Sequence, residues 1–324
     1  MGDSTDDGQP RPLVTDPFDA VPALAPLRDA AWDGDWEAVR AFFEGIATDE
    51  ATGVENISLA AALLAEVDRT EWFLEKAVKD RPAGPLPRTL LAERYVRLGW
   101  RARGRGPAES LSWDAARQCH DWLCKAELLL IEVCAEEPAY VPAWTTRLST
   151  ARGLGLGQSE ARRRYDRLAE HHPHHVRAQS QLVRQLSPEW GGSWEAAHGF
   201  AEECASAAPD GSHAGVLIAE AHIEHWAALD GAEAEEYMRS TTVRDELLRA
   251  ARVSVLHPDH RRDWRWTDSH SAFALALSLG GHVGDAAPHF AALGDTVSES
   301  IWRNVPDWRA RFIEYRTAAA QATL

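Results

Sequence analysis

Apolar residues recur at spacings of three and four along most of the chain, and short segments rich in proline or glycine interrupt them. Val141, Trp144, Leu148 and Ala151 place one apolar stripe along a helix that begins after Pro138. A glycine-rich turn follows, and the helical spacing then resumes. No convincing alternation of period two, which is typical of strands, occurs along the sequence. The pattern therefore predicts an all-α fold.

The prolines that break this pattern are regularly spaced. Pro138, Pro173 and Pro209 lie 35 and 36 residues apart, and proline disfavours helical geometry in the residue before it. A repeat of about 34 residues made of two antiparallel helices is the tetratricopeptide period. We therefore predict an α-solenoid of stacked antiparallel helix pairs in a right-handed superhelix. The first helix of each pair would line its concave surface.

The ends and connectors of the array can also be assigned from local composition. Residues 1–16 are polar and acidic, which predicts a disordered acidic tail, and residues 17–324 form a single repeat domain. The proline- and glycine-rich residues 81–87 are the best candidate for a hinge. Residues 237–256 have the pattern of one long helix.

Charge and composition narrow the classes of partner. The chain has 324 residues and a net charge of −16, which argues against general nucleic-acid binding. No apolar run reaches the ~18 residues that span a bilayer, and no signal sequence is recognisable, so we expect a cytoplasmic protein without membrane contact. The four cysteines are expected to be reduced thiols. The glycine-rich residues 153–157 lack the preceding strand of a dinucleotide site, and no cofactor is expected.

A stripe of arginines stands out in this acidic chain. Arg94, Arg97, Arg101 and Arg105 follow one helical face together with Trp100. Guanidinium groups bind carboxylates or phosphates bidentately and stack on indoles, so an acidic ligand or partner is one interpretation. The other is internal pairing with carboxylates of the following helix, which are Glu132, Glu136 and Glu137.

Histidines and glutamates suggest a different site. His222 and Glu224 lie on one predicted helix, and Glu195 and His198 form an E-x-x-H pair on its neighbour. Such residues could hold a metal or perform acid–base chemistry. A complete di-metal site needs two E-x-x-H motifs and two further carboxylates, and only one motif is present. Core histidines bonded to polar neighbours are the alternative, and no metal is expected.

Other candidate sites fail on geometry or remain open. Cys119 and Cys124 are five residues apart and diverge by about 140° on a helix, so they do not form a zinc motif with His120. Trp264 and Trp266 cannot both point inward on one helix. One of these indoles is expected on a recognition surface, or in a packed contact between repeats.

Several segments of the chain resemble a known family. They are residues 32–36 (WDGDW), 98–104 (LGWRARG), 186–194 (LSPEWGGSW), 200–201, 208–212 and 221–224. These segments are similar to tetratricopeptide-like helical repeat proteins of high-GC bacteria. The resemblance implies an α-helical repeat fold, and it implies no activity and no site residues.

The resulting functional prediction is a non-catalytic scaffold that binds a protein or peptide on the concave surface. The predicted binding residues are Arg94, Arg97, Arg101, Arg147, Gln181, Arg184 and Trp266. The alternative is a helical metal-dependent enzyme or a small-molecule sensor that uses Glu195, His198, His222 and Glu224. Neither the partner nor the oligomeric state follows from the sequence.

Overall fold

The computed structural model describes residues 12–47, 52–79, 84–104 and 111–322. These residues form eighteen α-helices and two short 3-10 helices, and they contain no β-strand. The first helices are α1 (Pro17–Ala20), α2 (Ala25–Asp33), α3 (Trp36–Glu44), α4 (Gly53–Glu66), α5 (Thr70–Lys79) and α6 (Pro85–Arg103). The middle of the chain forms α7 (Trp113–Glu136), α8 (Val141–Gly153), α9 (Gln158–Ala169), α10 (Val176–Gln185), α11 (Trp194–Ala207) and α12 (Val216–Ala227). The last helices are α13 (Gly231–Arg239), α14 (Thr241–Val253), α15 (Trp266–Leu279), α16 (Val283–Leu293), α17 (Glu299–Trp302) and α18 (Trp308–Ala322). The prediction of an all-α fold is thus confirmed for the described residues.

Local capping explains where many of these helices begin. Asp35 and Ser193 accept hydrogen bonds from backbone amides three residues on, at 3.1 Å in both cases, and so cap α3 and α11. Ser159 does not cap α9 but lies inside it. That helix begins one residue earlier, after Gly157, whose φ of +84° is accessible to glycine without strain.

The long helix predicted over residues 237–256 is wrong. Ser240 divides it into α13 and α14, and the Ser240 side chain accepts a hydrogen bond of 3.2 Å from the Val243 amide. The apolar spacing continues across the break, because Met238, Val243 and Leu247 are all buried. The break was missed because a serine cap disturbs the backbone without disturbing the apolar pattern.

Helices that follow one another in sequence also pack against one another. In the middle of the chain, each helix from α7 to α12 contacts the next. Alternate helices form a second series of contacts, in which α6, α8, α10, α12 and α15 touch in turn. We call these five the inner helices. All twelve residues from Val141 to Arg152 in α8 are buried, so α8 lies inside the molecule.

Some contacts join elements that are distant in sequence. Helix α4 packs against α6, α8 and α10, and the Ser58 hydroxyl of α4 lies 3.0 Å from Nε2 of His175 before α10. The Val14 amide donates to the Asp295 carbonyl at 2.8 Å. In an open solenoid each repeat contacts only its neighbours. Helix α4 therefore covers part of the surface that the inner helices form.

The two predicted boundary regions fall partly outside the described residues. Residues 1–11 of the predicted tail and residues 81–83 of the predicted hinge lie outside them. The described end of the tail is held in place, because Asp16 caps α1 and Val14 pairs with Thr296 in an isolated bridge. In the part of the chain that is described, no helix is long and apolar enough to cross a membrane.

Candidate ligand-binding cavity

A cavity of about 630 Å³ opens where α4, α6, α8 and α10 end. Its described lining carries seven arginines, four glutamates and two tryptophans. These are Arg97, Arg101, Arg103, Arg152, Arg177, Arg184, Arg303, Glu66, Glu93, Glu189, Glu224, Trp100 and Trp190. We call it the arginine cavity. It has an excess of three positive charges in a protein whose net charge is −16.

Helix dipoles account for part of this arginine content. The end of each helix carries roughly half a negative charge, and four helices end at the cavity. Together they offset roughly two charges, which is fewer than the excess of three. Asp68, outside the lining, pairs with Arg101 at 2.6 Å and offsets the remaining charge. The sum of charges is therefore close to balance, and a preference for an anion depends on Arg152.

Arg152 is the most unusual of these side chains. It is 8% exposed, and its guanidinium donates to Oε1 of Gln181 at 2.8 Å and to the Gln181 carbonyl at 3.3 Å. It also lies 5.3 and 5.7 Å from the ring centres of Trp100 and Trp190. Among the described residues it has no carboxylate partner. Burial, together with the Arg184 charge, lowers the pKa of Arg152 to about 9.

Neighbouring arginines are paired but more accessible. Arg184 lies 3.1 Å from the Glu224 carboxylate, which raises the pKa of Arg184, and its side chain is 42% exposed. Arg103 lies 3.8 Å from Glu189 and also faces the two indoles. A ligand anion would replace or join exposed carboxylates at these positions, while at Arg152 it would supply a missing charge partner.

The structure brings four of the predicted binding residues to this cavity. Arg97, Arg101, Gln181 and Arg184 all line it. Arg94 lies in α6 with Arg97 and Arg101 but is only 2% exposed, and it donates to Glu71 at 2.7 Å and to a backbone carbonyl. It is therefore an internal ion-pair residue.

The remaining predicted binding residues also lie elsewhere. Arg147 is buried and bonds to Glu127 at 2.8 Å. Trp266 is 4% exposed and lies against the Arg262 guanidinium at 3.4 Å, so Trp264 is the more accessible of that pair. Arg105 lies outside the described residues.

Internal pairing of the arginine stripe occurs, but with other partners than those predicted. Arg97 pairs with Glu66, and Arg101 pairs with Asp68 at 2.6 Å. These carboxylates lie at the end of α4, not on the following helix. Of the predicted partners, Glu132 and Glu136 pair instead with Arg88 at the start of α6.

The predicted His/Glu site is only half assembled. His222 Nδ1 lies 2.6 Å from the Tyr237 hydroxyl, which is 3.2 Å from His198 Nε2. Glu224, however, faces the arginine cavity, and Glu195 is exposed. Within the described part of the chain, no group of three or more His, Cys, Asp or Glu is placed to hold a metal ion.

His198 is better suited to a hydrogen-bonded network than to acid–base chemistry. Burial lowers the pKa of His198 to about 4, and the charges of His222 and His225 contribute to that shift. His222 Nε2 also contacts the Glu246 carboxylate at 3.0 Å, and this hydrogen bond lowers the pKa of Glu246. The polar groups therefore satisfy one another.

Comparisons with known proteins provide no family or relative. No protein-family model matches the chain, and no curated protein or solved structure matches it either. The site must therefore be interpreted from its own geometry.

Several cavity residues were not predicted from the sequence. Arg103, Arg152 and Trp190 come from three segments that are distant in the chain. The available signal was a basic residue in the last turn of alternate helices, namely Arg103 in α6, Arg152 in α8 and Arg184 in α10. That signal is weak because basic residues favour helix C-termini in any protein.

Proposed function

We propose that this chain is a non-catalytic binding protein whose ligand is a small molecule with a carboxylate or phosphate group. The observation that carries the proposal is Arg152, a buried cation with no carboxylate partner in the described structure. The volume of about 630 Å³ lies within the range of small-molecule sites. Trp100 and Trp190 supply flat apolar surfaces beside the cation.

We also propose that the helices form a tetratricopeptide-like solenoid that is unusually curved. The proline spacing of 35 and 36 residues and the contacts between successive helices support this architecture. Helix α4 would then cover the concave surface along which an extended peptide usually lies. The arginine cavity is the part of that surface left open. The free cysteines fit the cytoplasmic location that we propose.

The proposal is tested by titrating the purified protein with citrate, inorganic phosphate and pyrophosphate. Binding is followed by calorimetry and by tryptophan fluorescence, since Trp100 and Trp190 line the site. Arg152→Met should weaken binding at least about tenfold, because it removes the buried charge-assisted contact. Arg167→Met is the matched control, since Arg167 is exposed and pairs only with Glu170.

Two outcomes would contradict this function. One is that none of the three anions binds the wild-type protein. The other is that Arg152→Met binds them as tightly as the Arg167→Met control. The acidic peptide hexaglutamate tests whether the carboxylates come from a protein instead of a small molecule. If only this peptide binds, and its binding depends on Arg152, the cavity is assigned to a protein partner.

A second candidate function is docking of a protein partner on the outer face of α7. Leu128 and Ile131 lie one turn apart and are 65% and 46% exposed. Single exposed apolar residues are common on any protein, but two that are adjacent on one helical face begin a contiguous patch of the kind that interaction surfaces use. If they dock a partner, the double variant Leu128→Glu, Ile131→Glu should lose in a pull-down a protein that the wild type retains. Glu132→Gln is the control, because Glu132 is exposed on the same helix.

A further inference from the structure

A second cavity adjoins the arginine cavity. It also has a volume of about 630 Å³, and it shares Glu66, Arg97 and Arg303 with the first. Among the charged residues that line only the second cavity, four are acids and one is an arginine, so its net charge is opposite in sign to that of the first lining. The acids are Asp16, Asp68, Asp268 and Glu299, and the base is Arg28. We call it the acidic cavity.

Most of these acids already have cationic partners. Asp16 lies 3.7 Å from Arg28, Asp68 lies 2.6 Å from Arg101, and Glu299 lies 3.2 Å from Arg309. The Asp268 side chain forms neither an ion pair nor a hydrogen bond with any other described residue, and its charge acts at longer range on the buried Arg265 guanidinium. It is therefore the acid whose charge is most available to a ligand.

A buried hydroxyl beside Asp268 provides an independent indication of a ligand. Thr267 lines the acidic cavity, is 7% exposed, and its Oγ1 has no hydrogen-bond partner in the described structure. Buried polar side-chain atoms are normally hydrogen-bonded. Asp268 lies in the first turn of α15, where the positive end of the helix dipole stabilises a carboxylate. The helix alone therefore accounts for an acid at this position. The dipole does not explain the unsatisfied Thr267 hydroxyl.

The remaining lining is suited to an organic cation. Trp32 and Trp264 line the same cavity as Asp268, and the Arg28 guanidinium already lies over the Trp32 ring at 4.9 Å. Trp264 is therefore the indole open to a second cation. Aromatic faces attract ammonium groups, most strongly when water is excluded. A carboxylate, a free hydroxyl and an open indole together match an ammonium better than they match a purely apolar group, which would leave Thr267 and Asp268 without partners.

We propose that the ligand is zwitterionic, with its anionic group at Arg152 and an ammonium group at Asp268 and Thr267. This inference rests on the proposed function, because it assigns the other end of the same ligand. The two cavities share Glu66, Arg97 and Arg303 as lining residues, and the ligand would pass beside the Glu66–Arg97 ion pair to reach both. The opposite charge balance of the cavities fixes the direction in which the molecule binds.

The test compares ω-amino acids with the parent carboxylates of equal length. The probes are butanoate, hexanoate and octanoate and their ω-amino derivatives, each titrated by calorimetry into the full chain. At the length that spans the two cavities, the amino acid should bind about tenfold more tightly than its parent. Asp268→Asn should abolish this difference and leave binding of the parent carboxylate unchanged.

Matched variants separate a direct contact from a structural effect. Thr267→Val keeps the shape of the side chain and should reduce the advantage of the amino acid without affecting its parent. Asp166→Asn is the control, since Asp166 is exposed on α9 and pairs with Arg162. Thermal unfolding of each variant shows whether it is folded.

The possible failures of the two proposals are distinguishable. If the carboxylates or phosphate bind in an Arg152-dependent manner and no ω-amino group adds affinity, the zwitterion inference is wrong and the anion site stands. If Asp268→Asn weakens the amino acid and its parent equally, the role of Asp268 is structural and the inference is again overturned. If neither these probes nor citrate, phosphate and pyrophosphate bind, the proposed function itself fails.

Discussion

Glu127 of α7 shows how single buried charges hold this protein together. Its carboxylate accepts hydrogen bonds from Arg147 at 2.8 Å and from Arg164 at 2.9 Å, and the Thr150 hydroxyl also donates to it. The three side chains come from α8 and α9, and all four residues are buried. One carboxylate thus joins three helices. Arg164 has a second carboxylate partner, Glu160, at 2.7 Å, so the desolvated charge that depends on Glu127 is that of Arg147.

We therefore expect Glu127→Gln to be strongly destabilising. The substitution keeps the shape of the side chain but leaves the Arg147 charge buried without a counter-charge, which costs roughly 3 kcal/mol or more. The free energy of unfolding, measured by urea denaturation, checks this value. Glu170→Gln is the control, because Glu170 is exposed, and its effect should stay within about 0.5 kcal/mol. Equal stability of the two variants would contradict the prediction.

Among the helices, α13 and α14 depend on one serine for their separation. Ser240 ends α13 and caps α14 through its hydrogen bond to the Val243 amide. Both helices pack against the inner helix α15. The break at Ser240 thus lies between two helices that share one packing partner. The cap thus acts on the packing of the array as well as on one helix end.

We expect Ser240→Ala to lower the free energy of unfolding by about 1 kcal/mol, the usual cost of losing a serine cap. Urea denaturation at neutral pH measures the change. Thr242→Ala is the control two residues away, where the side chain is exposed and makes no hydrogen bond in the described structure. An unchanged midpoint for Ser240→Ala would show that α14 does not need its cap.

Across the whole molecule, buried neutral histidines couple the fold to pH. Burial lowers the pKa of His198 and His270 to about 4 and that of His289 to about 3. Burial also lowers the pKa of His175 and His260. These residues lie between the start of α10 and α16, so a fall in pH acts on several helices of the C-terminal half.

The sign of the effect follows from proton linkage. As the pH falls below the ordinary histidine value of 6.5, these residues are protonated in the unfolded chain before they are protonated in the folded one. The unfolded state then binds more protons, and the free energy of unfolding falls with decreasing pH. The loss begins near 6.5 and continues to about 4, where carboxylates with lowered pKa, such as Glu246, begin to add to it.

Urea denaturation between about pH 7.5 and pH 4.5 should show a loss of at least ~2 kcal/mol. His120→Asn should leave this profile unchanged, because His120 is 64% exposed. A free energy of unfolding that stays constant over that range would contradict the assignment of these histidines as buried and neutral.

Helix existence and many helix ends could be predicted from the sequence because their causes are local. Pro138, Pro173 and Pro209 mark breaks through backbone geometry, and Asp35 and Ser193 cap helices through bonds to amides three residues away. These causes act within one turn of helix. The break at Ser240 is also local, but the apolar spacing on both sides concealed it.

The arginine cavity, in contrast, depends on how distant helices pack. Arg94, Arg97 and Arg101 share one helical face, yet Arg94 is buried against Glu71 while the other two line the cavity. Spacing along a helix determines which side chains share a face. It does not determine which neighbour covers each part of that face, because only the position of α4 and α5 decides this.

The same reasoning applies to the charge partners and to Arg152. The stripe pairs with carboxylates that precede it in the chain, since α4 packs against α6. Arg152 meets Trp100 and Trp190 because α6, α8 and α10 end at the same place. The sequence by itself thus determined the helices and their polar faces. Only the tertiary structure decided which buried cation was left without a directly paired carboxylate, because burial and pairing depend on how the helices pack.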